Sequence, residues 1–154
     1  MSQQSISVNR TPLPAAPANT AQGAERPVRQ AFWILRLGFT VAPILAGLDK
    51  FFHVLVDWDQ YLAPTVNNLL GGNGHAFMLV AGVIEIVAGI GVFLRPRIFS
   101  YVVAAWLLGI IVNLLLIPGY YDIALRDLGL ALGALALGRL STALDSKHPY
   151  ASSR

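Results

Sequence analysis

Between Ile98 and Tyr121 the chain carries no charged residue. A helix of about 20 apolar residues crosses the hydrocarbon core of a bilayer, at roughly 1.5 Å per residue. A helix of that length with no charged side would have little to present to water. The rest of the chain agrees: 55% of its residues are hydrophobic and 12% charged, against about one quarter charged in an ordinary soluble domain. This composition reads as an integral membrane protein. Four segments qualify as spans: Phe32 to Phe52, Gly74 to Leu94, Ile98 to Ile117 and Ile123 to Ser141. The first contains Arg36 and Pro43, and the last has Arg126 and Asp127 near its start. A proline is tolerated inside a spanning helix. The short alternating strands of a membrane barrel are missing. The expected fold is all-α and polytopic, an antiparallel bundle of four transmembrane helices.

Charge distribution gives this bundle an expected orientation. With the N-terminus in the cytoplasm, that side holds Arg10, Arg26, Arg29, Arg36, Arg95, Arg97, Arg139, Lys147 and Arg154. The other side receives only Lys50 and Arg126, with Asp49, Asp57, Asp59, Asp122 and Asp127. The bias follows the positive-inside rule with both termini cytoplasmic. The net charge of +3 then reflects topology, and no nucleic-acid partner is expected. Residues 1–29, rich in Gln, Ala, Pro, Ser and Thr, read as a disordered cytoplasmic tail. They lack the order of charged, apolar and small-residue regions that marks a signal peptide. Residues 30–141 form the expected membrane domain, and residues 142–154 a short cytoplasmic C-terminal tail.

The connections differ. Arg95 to Arg97 is tight enough to force antiparallel neighbours, and the IPGYYD stretch makes another short turn. The first connection is longer. Trp58, Tyr61, Leu62, Val66 and Leu69 recur there at helical spacing, which suggests an amphipathic segment near residues 57–70 on the outer face. Pro64 argues against one unbroken helix. Gly38, Ala42 and Ala46 form a small-residue column on the first span, Gly129 and Gly133 another on the fourth. Gly82 and Gly89 flank Glu85 on the second. Such residues let membrane helices approach closely.

Glu85 is the anomaly in LVAGVIEIVAGIGVFL, eleven residues after Gly74 and nine before Leu94. An ionisable group at mid-membrane faces the bundle interior, pairs or changes protonation. Asp49 and Lys50 end the first span, Asn113 lies in the outer half of the third, and Arg126 and Asp127 begin the fourth. All four spans thus contribute a polar group to the middle or outer half of one bundle. Two readings follow. The charges can set helix register without chemistry. Alternatively they line an outward-opening pocket in which Lys50 or Arg126 hydrogen-bonds a neutral, quinone-like carbonyl while Glu85 or Asp49 handles a proton. Trp106, two turns before Asn113, would line its inner wall. His53 and His75 sit near the outer boundary without the spacing or third partner of a metal site. No cysteine is present, so thiolate ligands and cysteine nucleophiles are excluded, and no phosphate-binding loop or nucleophile elbow appears. No metal site, intrinsic cofactor or catalytic residue is assigned.

Three stretches, RLGFTVAPILAGLDKFF, MLVAGVIEIVAGIGVFL and YYDIALRDLGLALGALALGRL, resemble the DoxX-like family of small bacterial integral membrane proteins. The resemblance runs from Arg36 to Leu140 and rests mainly on Gly47 to Lys50, Glu85 and the pair Arg126 and Asp127. It implies a four-helix membrane bundle in the bacterial cytoplasmic membrane. It also implies association with a membrane redox complex, since some relatives are subunits of oxidoreductases that pass electrons from sulfur compounds to quinone. Asp49, Lys50, Glu85, Arg126 and Asp127 are the positions it carries over. The expected function is a membrane subunit linked to quinone electron transfer, with a bound quinone and other membrane subunits, lipids or further copies of the chain as partners. An assembly subunit without its own ligand, and a small transporter acting as an oligomer, stand as alternatives.

Overall fold

The computed structural model describes residues 18–145, and within them the chain is all-helical. Helix α1 spans Ala18–Phe52. A single 3-10 turn follows at Trp58–Tyr61, then the short α2 at Pro64–Leu69. Three long helices complete the fold: α3 at Gly74–Leu94, α4 at Pro96–Leu115 and α5 at Tyr121–Asp145. Two expected boundaries move. The stretch 18–29 is helical, so α1 reaches into what reads in sequence as tail, and α5 continues through residues 142–145. Residues 1–17 and 146–154 of the expected tails lie outside the described residues.

Among the described residues, three helices are long and apolar enough to cross a membrane: Glu25–Phe52, Gly74–Leu94 and Pro96–Leu115. The protein is therefore of the membrane class. The expected fourth span falls within α5, whose apolar run is interrupted by Asp122, Arg126, Asp127 and Arg139. On α1 the exposed Ile34, Leu37, Val41, Leu45 and Leu48 repeat at three or four residues and make a continuous apolar stripe. A stripe that size is unfavourable in water and suits acyl chains.

Local chemistry explains the breaks. Pro96 occupies the first position of α4, with only Arg95 between it and α3. Proline offers no N–H to continue α3 and disfavours helical backbone at the residue before it. Arg95 adopts φ −138° and ψ 70°, and the chain reverses there. A Cβ on Gly91 would overlap the Phe99 ring, so this glycine lets Phe99 fold back against the end of α3. In the connection between α1 and α3, Pro64 starts α2. The expected amphipathic segment is thereby split into a 3-10 turn and a separate short helix.

The long helices pack as α1 against α3 and α4 against α5, joined by α3–α4 and α1–α5 contacts. Phe39, Ala88, Val92, Val103, Ala104, Ala134 and Leu137 form a dry core drawn from all four. On α5 the buried positions are Ala124, Asp127, Ala131, Ala134, Leu137, Gly138 and Ser141, an inward face made almost wholly of small residues. Such a face lets the neighbouring helices come close without large side chains between them.

Close approach of α1 and α3 uses a different column from the expected one. Gly38 and Ala42 are exposed, and a Cβ on Gly38 would meet nothing within 4 Å. On α1 the contact is made instead by Gly47, and on α3 by the expected Gly82 and Gly89. A Cβ on Gly82 would lie 2.7 Å from the Gly47 carbonyl oxygen, and one on Gly89 2.7 Å from the Thr40 carbonyl oxygen. Gly133 accommodates the Phe39 ring, whereas Gly129 has open space around it.

Candidate functional site

The close α1–α3 contact brings Lys50 level with Glu85. Gly82 lies one turn before Glu85, and a Cβ there would sit 3.2 Å from the Lys50 Cβ. The Lys50 Nζ donates to Glu85 Oε2 at 2.6 Å. The residues are 4% and 8% exposed, so both charges are largely withdrawn from bulk solvent. The second Glu85 oxygen, Oε1, accepts a longer hydrogen bond from Trp106 Nε1 at 3.3 Å. The Lys50 ammonium also lies 3.7 Å from the centroid of the Trp58 ring, a cation–π contact. The positive group is thus held between a carboxylate and an aromatic face.

Trp58 is placed there by Asp49. Helix α1 ends at Phe52, and the next residue, His53, turns the chain out of the helix with a φ of 51°. The Asp49 Oδ1 accepts the freed N–H groups of Val54 and Leu55, each at 2.9 Å. Its other oxygen accepts from Trp58 Nε1 at 2.7 Å. One carboxylate thus caps the helix end and anchors the tryptophan that covers Lys50. Asn113 holds the next part of the connection. Its Oδ1 accepts from the Ala63 N–H at 2.9 Å and its Nδ2 donates to the Tyr61 carbonyl. Ala63 is fully buried, so Asn113 supplies partners that water cannot.

These side chains surround a cavity of about 580 Å³. Lys50, Glu85, Trp106, Asn113, Arg126 and Asp127 all line it, together with Trp58, Tyr61, Phe77 and Met78. Most of the remaining wall is aliphatic, as in sites for small apolar ligands with a few polar anchors. Arg126 Nε is 3.2 Å from Asp127 Oδ1; the arginine side chain is largely exposed and the aspartate buried. The ionised wall therefore carries two cations and two carboxylates, which suits an uncharged occupant.

Of the residues singled out in sequence, six meet at this cavity. Asp49 does not line it; it acts from behind, through the loop. Trp58 is the residue that sequence reasoning assigned to the membrane surface and the structure sets over Lys50. Only its place nine residues after Asp49 hinted at this. His53 and His75 stack at 5.9 Å between ring centroids, and His75 Nδ1 lies 2.8 Å from Asp59 Oδ2. Among the described residues no group of three potential ligands gathers around a metal position.

Compared with known proteins, the chain matches no protein-family model, no curated protein and no solved structure.

Proposed function

We propose that the protein is a small membrane subunit, of the DoxX-like kind that its sequence resembles, whose outer cavity binds a neutral quinone-like molecule within a membrane redox complex. The observation that carries this reading is a buried lysine whose ammonium, among the described residues, donates a single hydrogen bond. An ammonium has three donors, and the others are available to a ligand carbonyl in a largely apolar cavity of about 580 Å³. Glu85, bound to the same ammonium, stands where a proton could pass to or from that oxygen. No redox centre belongs to this reading of the chain; a partner subunit would supply and remove the electrons.

Four antiparallel spans with both termini cytoplasmic form part of the same proposal. Support comes from α5, whose exposed Leu125, Leu128, Leu132 and Leu135 form an apolar outer stripe opposite its small inner face. The pairing of Lys50 with Glu85 also favours a second reading, in which the ion pair only fixes the register of α1 against α3 within a larger assembly.

Purification in a mild detergent, with mass analysis of retained quinones and protein partners, tests both. The first reading expects a quinone retained in stoichiometric amount, or a short-chain ubiquinone bound when added. That binding should be lost in Lys50→Met and Glu85→Gln while helical content and partners are retained. Absence of any quinone binding, with a larger complex that dissociates in Glu85→Gln, would overturn it in favour of assembly.

A further inference from the structure

The end of the molecule away from Lys50 has a second concave surface, a hollow of about 750 Å³ between α1, the α3–α4 turn and the end of α5. Arg29, Arg36, Arg95 and Arg97 line it, with Glu25 and Asp145 as the two carboxylates. Four guanidinium groups against two carboxylates leave an excess of positive charge, so the hollow suits an anion.

Arg36 is the most constrained member. Its Nη2 donates to the Phe93 carbonyl at the end of α3, which places the guanidinium level with the last turn of a candidate span. The rings of Trp33 and Phe93 lie 4.9 and 5.3 Å from its central carbon. Its Nε is buried and, among the described residues, has no hydrogen-bond partner. A buried donor without an acceptor is uncommon and calls for one.

We propose that this hollow binds the phosphate headgroup of an anionic phospholipid. A phosphate offers acceptor oxygens in the geometry a guanidinium fork matches. Basic pockets between spanning helices are suited to anionic headgroups. The flank of the hollow separates a lipid from a free ion. Trp33, Leu94 and Ile98 line it and are 45%, 68% and 54% exposed, an apolar wall that acyl chains can cover and that inorganic phosphate would leave bare. A tryptophan at this level is also in the zone where such rings favour the membrane interface.

Native mass spectrometry of the full chain in mild detergent tests the site, with phosphatidylglycerol, phosphatidylcholine and inorganic phosphate as separate probes. Phosphatidylglycerol should bind most tightly, and an excess of inorganic phosphate should fail to displace it. Each of Arg29→Gln and Arg97→Gln should weaken that binding about fivefold, and Arg36→Gln should remove the preference over phosphatidylcholine. The two rim substitutions keep the test decisive if Arg36→Gln unfolds. Arg139→Gln, outside the hollow, should leave lipid binding unchanged. Equal binding of the two lipids, displacement by inorganic phosphate, or full binding in the Arg29→Gln, Arg97→Gln double variant would each overturn the proposal. Quinone retention reports on the other end of the molecule and is scored separately.

Discussion

Lys50 and Glu85 form a pair in which removing one partner differs sharply from removing both. Each ion lost water's solvation on burial, and what replaces it is chiefly the other ion, 2.6 Å away. Glu85→Leu strands an ammonium in an apolar wall and should cost about 3–5 kcal/mol. Lys50→Met with Glu85→Leu removes both charges and should restore stability to near the parent or above it. A double-mutant cycle on unfolding in detergent measures the coupling; additive single effects would show that the two charges do not stabilise one another. The depth of Glu85 was legible in sequence, because position along a helix follows from counting residues. Rotation about the helix axis was not. Asp49 could be put at the right level but not given its role, since that role depends on a loop that folds back over the helix end.

Between elements, the α1–α3 contact rests on absent side chains. Gly82→Ala would set a Cβ 2.7 Å from the Gly47 carbonyl oxygen, and backbone on both sides cannot yield as a flexible side chain can. The helices would have to separate, at a cost of about 1–3 kcal/mol. Gly38→Ala meets nothing within 4 Å and should leave the midpoint of thermal unfolding unchanged or slightly raised. Equal effects of the two substitutions would refute the assigned contact. One column of small residues, Gly38, Ala42 and Ala46, was visible in sequence on α1, and spacing alone could not say whether that face meets α3. The connection between α1 and α3 was harder to read, because Trp58 has the amphipathic character of an interfacial residue whichever way it points. Its position depends on Asp49, whose two oxygens accept three N–H groups. Asparagine has only one oxygen to offer them. In a Trp33→Phe, Trp106→Phe background, Asp49→Asn should therefore release Trp58, seen as red-shifted emission and stronger quenching by aqueous iodide. Unchanged emission would mean that the carboxylate does not hold the ring.

At the scale of the molecule, α5 decides the topology. Three spans put the two ends of the chain on opposite sides of the membrane, and four put them on the same side. Helix α5 has 25 residues, roughly 37 Å at 1.5 Å each, enough to cross a hydrocarbon core of about 30 Å. Its charges were what made the crossing hard to read from composition. In the fold Asp127 turns inward to the cavity, and Arg139 lies within two turns of the helix end, from which a long side chain can reach the interface. Arg29 in the first half of α1 and Asp145 at the end of α5 also line one hollow beside the α3–α4 turn, which agrees with the proposed arrangement of four spans. The chain contains no cysteine, so single cysteines report position without a background to remove. On the proposed topology, with both termini cytoplasmic, Gln30→Cys and Asp145→Cys should resist a membrane-impermeant maleimide applied to intact spheroplasts and react after permeabilisation, whereas Asn68→Cys should react at once. Labelling of Asp145→Cys together with Asn68→Cys in intact spheroplasts would mean that α5 stays on the outer side. The packing of Ala124 to Ser141 along α4 would then have to be abandoned, and with it the placing of Asp127 in the wall of the Lys50–Glu85 cavity.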